Sequence, residues 1–139
     1  MTPTRIVVAS LALGLVSCTS VAPMKIAQGD LCFRCQRSIT ETRLATQQIS
    51  HFYEKFRTPG CMAKYLVNNP KDRGTVLVTD YATGKTMPPE KAFFVPFVMD
   101  DKTGERDYRA YKSQSDADAA AAEFHTTPVT WNVVLENAQ

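Results

Sequence analysis

The chain has 139 residues, 44% of them apolar and 22% charged, with 16 Lys and Arg against 14 Asp and Glu. That balance argues against a disordered chain, a collagen-like repeat or a multi-pass membrane protein. A net charge of +2 lacks the clustered basicity of a nucleic-acid binder, and the length fits one domain.

Residues 2–17 carry a single charge, Arg5, followed by the apolar run Ile6 to Val16. The run is shorter than the roughly 20 residues needed to span a bilayer, so a positive start and apolar core read as a secretory signal peptide. It ends in Leu15-Val16-Ser17-Cys18, which looks like a bacterial lipobox, with cleavage before Cys18 and lipid on its sulfur and amine. An ordinary cleavage after Ala22 is the competing reading, disfavoured by Pro23 immediately after the cut. The predicted organisation is a signal peptide over 1–17, a lipidated tether over 18–29 and an α+β domain over 30–139. The protein would face the periplasm from a lipid-anchored position on one of the envelope membranes. Several acyl chains, at about 0.8 kcal/mol per buried methylene, hold such an anchor stably.

With Cys18 assigned to lipid, Cys32, Cys35 and Cys61 remain, an odd number for an oxidising compartment. The Cys32-Phe33-Arg34-Cys35 pair supports three uses. It can clamp a soft metal, cycle as a redox pair, or close a structural disulfide in a lipoprotein that serves as an interaction module. The thioredoxin form of the redox use requires a helix opening at the first cysteine, and no helical period begins at Cys32.

Further along, Gln47 to Phe56 has an imperfect strand pattern. Thr58-Pro59 reads as a helix start, Thr58 capping and Pro59 at the first helical position, with Met62, Tyr65 and Leu66 on one face until Asn68-Asn69-Pro70. Cys61 falls in its first turn, where the helix dipole lowers a thiol pKa. Gly74–Thr79 is a strand, Tyr81–Lys85 a turn, and Ala92–Val98 a strand whose Pro96 favours an edge or bulge. Asp100–Asp107 reads as a solvated charged loop before a short strand at Tyr108–Tyr111. Ser115 is the predicted cap of an Ala-rich helix running to about His125. Val129 is strand-like, and Trp131–Leu135 forms a last short helix. A strand–helix–strand unit thus occurs twice, suggesting a duplication.

These features taken in order resemble the NosL family, bacterial lipoproteins that act as copper accessory proteins for nitrous-oxide reductase. The resemblance is carried by the Cys32/Cys35 pair, Arg43-Leu44-Ala45, Phe56 before Pro59-Gly60-Cys61-Met62, and Val78-Thr79-Asp80-Tyr81-Ala82-Thr83-Gly84. It continues through Ala92-Phe93-Phe94-Val95, His125, Val129-Thr130-Trp131 and Val134-Leu135. It implies two small strand–helix–strand repeats of the NosL/MerB kind, no enzymatic activity, and Cu(I) held by cysteine and methionine sulfurs. The implied partners are the membrane, through the lipid, and a copper reductase or its assembly proteins. The chain departs from the family pattern in two places. Cys35-Gln36-Arg37 lacks a methionine after the second cysteine, and Thr103-Gly104 stands where a Met-Gly turn is expected.

Thiolate and thioether sulfur suit Cu(I), whereas carboxylate and water do not. The candidate metal ligands are therefore Cys32 and Cys35, with Cys61, Met62 and Met99 as further sulfurs. His51 and His125 are isolated and read as surface residues. No Ser/His/Asp order, phosphate loop or zinc signature accompanies them.

Overall fold

A computed structural model describes residues 21–72 and 74–139. The expected signal peptide over 1–17 and the expected lipidation at Cys18 lie outside those residues. The fold is α+β, two antiparallel sheets and three helices. No helix among the described residues is long and apolar enough to cross a membrane.

The first sheet is built on β1 (Thr46–Ile49) and β2 (Tyr53–Phe56), a hairpin in which Thr46 faces Phe56 and Ile49 faces Tyr53. The single irregular strand expected over Gln47–Phe56 is thus two, folded back at Ser50–Phe52, where the amide of Ser50 donates to the carbonyl of Phe52. β1 is an interior strand despite its polar sequence, with Gln47 and Gln48 fully buried. Hydrogen bonds compensate most of this burial, leaving the side-chain oxygen of Gln48 without a partner among the described residues. Gln48 donates to Glu54 at 2.9 Å, and Gln47 both accepts from and donates to the backbone of Met24. The chain ahead of the cysteines is therefore pinned to the sheet at Met24.

α1 (Pro59–Asn68) follows directly, with Thr58 in extended conformation accepting from the amide of Cys61. Its inner face buries Cys61, Met62 and Ala63, and it ends at Asn69 as the Asn-Asn-Pro run predicts. β3 (Thr75–Thr79) returns antiparallel to β1, and β4 (Thr86–Met87) completes the order β2-β1-β3-β4. The turn between them is fixed by buried Asp80, which accepts from the hydroxyl of Thr83 at 2.6 Å.

A 3₁₀ turn at Pro89–Lys91 leads into β5 (Phe93–Asp100) and β6 (Glu105–Tyr111), a two-stranded hairpin. Pro96 is accommodated there because each strand of a two-stranded ribbon has a free edge; the bulge falls later, between Val98 and Asp100. The solvated loop expected over 100–107 contracts to a turn around Gly104, whose φ of +69° suits glycine. Glu105 and Asp107 are strand residues with fixed partners, and charge patterning alone does not separate such acids from solvated ones.

α2 (Gln114–Glu123) is capped by Ser113, which accepts from the amide of Asp116, rather than by Ser115. The two serines share a hydroxyl–hydroxyl bond of 2.7 Å, and the earlier one is extended and takes the cap. The helix ends at Glu123, two residues short of His125, which adopts a left-handed φ of 54°. Ala117, Ala120 and Ala121 form its buried face and allow close approach to Val95 and Tyr111. Val129 bridges antiparallel to Phe94, and α3 (Trp131–Glu136) closes the principal core, Trp131 packing on Phe94 with centroids 5.3 Å apart. That core also contains Cys32, Phe56, Cys61, Met62 and Val78. A parallel bridge between Asp80 and Ala110 ties the two sheets together.

Candidate metal centre

Cys32 to Cys35 occupy a tight loop whose ends are paired by a bridge between Leu31 and Ser38. The amide of Cys32 donates to the carbonyl of Arg37, and that of Gln36 to the carbonyl of Cys32. Gln36 closes the loop with a left-handed φ of 57°. The amide of Phe33 donates to the carbonyl of Lys55 on β2, so the loop is held on the sheet edge. This places Cys32 in the interior and Cys35 at the rim.

Cys61 reaches the same point from α1. Its sulfur lies 3.3 Å from that of Cys32, and the three Sγ atoms of Cys32, Cys35 and Cys61 all lie within 4.8 Å of one another. All three are free thiols, so no disulfide joins Cys32 to Cys35 in this structure. An ion about 2.3 Å from each of three sulfurs in a trigonal plane requires sulfurs about 4 Å apart. The cluster fits that geometry.

Cys32 and Cys61 share a hydrogen bond in which either sulfur can donate. Cys61 hydrogen-bonds to Cys32, and this, helped by the amides of Cys35 and Arg57 and opposed by burial, lowers the Cys32 thiol to about 4. The same bond and burial push Cys61 up. The neighbouring sulfur, rather than the helix start, is the first cause of the shift at Cys61.

Cys35 and Cys61 face a cleft of about 90 Å³ behind which Cys32 is fully buried. The cleft also contains carboxylates, but both are committed. Glu105 bridges Arg37 at 3.0 Å and Arg57 at 2.8 Å. Asp107 accepts from the Thr58 hydroxyl at 2.6 Å and the Gly60 amide at 2.9 Å. The donor set left for an ion is sulfur, which selects soft cations.

The remaining candidates lie elsewhere. Met62 is fully buried in the principal core. Met99 lines a neighbouring cleft with Phe97 and Arg109 that contains none of the three cysteines. His51 and His125 are exposed. The chain matches no protein-family model and no curated protein.

Sequence reasoning missed Asp107, which holds the start of α1 and hence Cys61 in place. No local signal in the sequence reveals it; in the structure, a side chain at Gly60 would put a Cβ 2.9 Å from both Asp107 carboxylate oxygens. Gly60→Ala is accordingly expected to destabilise the fold by about 1–3 kcal/mol, the range for overpacking a filled site. Thermal denaturation of the metal-free protein checks it, and an unchanged melting temperature contradicts the lock.

Proposed function

We propose that the protein is a membrane-anchored, extracytoplasmic carrier of a soft metal, Cu(I) foremost, of the NosL type. Cys32, Cys35 and Cys61 hold the ion as a trigonal thiolate set, and the lipid on Cys18 keeps the carrier at the membrane. The observation that carries this reading is the convergence of three reduced sulfurs from a loop and a helix, with every nearby carboxylate already paired. The ordered motifs shared with NosL proteins support it, and the two strand–helix units are compatible with a NosL/MerB-like duplication. In this sequence the cysteine of α1 takes the place of the missing methionines.

Delivery requires no redox change. Cys35 is the half-buried ligand at the rim, so an incoming sulfur of a copper reductase or its assembly proteins displaces it first, and the two inner cysteines follow.

Anaerobic titration with Cu(I) against a chromophoric chelator tests the reading. One equivalent is expected to bind the wild type and not the Cys32→Ser/Cys35→Ser variant; equal behaviour of the two removes the proposal. Binding also displaces the protons of the thiols, Cys61 held protonated by the sulfur of Cys32, so Cu(I) affinity is expected to fall as pH is lowered. Repeating the titration across pH measures that slope, and a flat profile contradicts the ligand set.

A further inference from the structure

The mouth of the cysteine cleft is predominantly basic. Arg34, Arg37, Arg57, Lys64 and Arg106 line it against only Glu105 and Asp107. Five cations against two acids is a strong local imbalance in a chain whose net charge is only +2. Arg37 and Arg57 are occupied by Glu105. Arg34, Lys64 and Arg106 are exposed and have no acidic partner among the described residues. Three unpaired cations encircling one small opening are not required by the packing of the fold.

An apolar patch adjoins them. Leu31, Phe33 and Tyr53 are 58%, 45% and 70% exposed and border one shallow depression. Phe33 is fixed in it, edge-on to Tyr65 at 5.4 Å and to Phe56 at 6.1 Å. Phe33 borders this depression while Arg34 and Cys35, the next two residues, line the cysteine cleft, so the two adjoin along this loop. Aromatic anchors beside Arg-rich rims are the usual composition of a protein-binding surface.

We propose that this face docks an acidic protein segment carrying its own sulfur ligands, with which the metal is exchanged. The inference rests on the soft-metal reading of the cysteines. The carboxylates of the segment pair with Arg34, Lys64 and Arg106, and an apolar side chain covers the Leu31–Phe33–Tyr53 patch. A thiol of the segment then enters as the Cu–S bond to Cys35 breaks. Its proton passes to the Cys35 sulfur, the new Cu–S bond forms, and copper stays Cu(I) throughout. A protein is favoured over a lipid surface because headgroups offer no sulfur to receive the ion.

Two synthetic dithiol peptides, identical except for Glu or Lys flanks, provide the test. Fluorescence anisotropy reads their binding to the metal-free protein, and stopped flow reads Cu(I) transfer from the loaded protein. The Glu peptide is expected to bind and receive metal at least about tenfold faster at low salt, with the advantage shrinking towards about 0.5 M salt. The Arg34→Gln/Lys64→Gln/Arg106→Gln variant is expected to lose that preference while keeping its Cu(I) affinity within about tenfold of wild type. Equal rates for the two peptides, or a preference that survives in the triple variant, overturn the inference. So does charge-dependent binding to anionic phosphatidylserine vesicles without any peptide preference. A protein that takes up no Cu(I) refutes the metal reading, while peptide preference in the anisotropy measurement still decides the docking face.

Discussion

Cys61→Ser is expected to weaken Cu(I) binding by roughly two orders of magnitude. Structural zinc sites gain about 10–16 kcal/mol from four ligands, or about 3 kcal/mol for each, and that is the scale of losing one thiolate. A two-coordinate clamp made by Cys32 and Cys35 alone predicts no change, so this one substitution separates the two ligand sets. Serine keeps the shape of the side chain but buries a hydroxyl at a site only 8% exposed, at about 1–3 kcal/mol, so the metal-free variant is expected to remain folded and to melt several degrees below wild type. The effect then shows in the metal-dependent shift. At 100 times the dissociation constant a bound ion stabilises the wild type by about 2.7 kcal/mol, and a hundredfold weaker site loses almost all of that gain. Cys32→Ser is expected to behave the same way, because the sulfur 3.3 Å from Cys61 is as much a part of the set. Full retention of the shift in both variants would refute the three-sulfur centre.

How much of this arrangement could be read from the chain depends on how local its causes are. Thr58-Pro59 announced α1 because capping is decided within three residues, and Thr58 does accept from Cys61. The Gly74–Thr79 run announced β3 because its β-branched residues have no competing local pattern. The interior position of β1 was hidden, since two glutamines look solvated until Glu54 and Met24 meet them. Cys32 and Cys35 were legible as a site by spacing alone. Cys61 lies 29 residues from Cys32, and only the packing of α1 against the loop joins them. Asp107 was the least visible, a strand acid inside a charged run with nothing local to distinguish it from its solvated neighbours.

Asp107→Ala is expected to be among the most destabilising single changes, at about 3 kcal/mol. The carboxylate is buried, and it accepts from the Thr58 hydroxyl, the Gly60 amide and its neighbour's Tyr108 amide. Truncation leaves the hydroxyl and the Gly60 amide without an acceptor, and each such buried donor costs about 1–3 kcal/mol. Asp107→Asn keeps the shape and an amide oxygen for both backbone donors, so its expected cost is about 1 kcal/mol. The two variants differ further with pH. Burial raises the Asp107 pKa against the lowering effect of its hydrogen bonds. A raised folded-state pKa means that the folded protein takes up the proton first as pH falls. The stability that goes with the protonated carboxyl is therefore present at low pH and lost as pH rises through the folded-state value. Wild type is expected to gain on the Asn variant as the solution is acidified, with chemical denaturation at several pH values as the measurement. A gap that stays constant, or narrows, would show that Asp107 is not held in a desolvated lock at the start of α1. Its consequence for function is positional: with the lock gone, the first turn of α1 loosens, Cys61 leaves its place beside Cys32, and Cu(I) affinity falls in the Ala variant but not in the Asn variant.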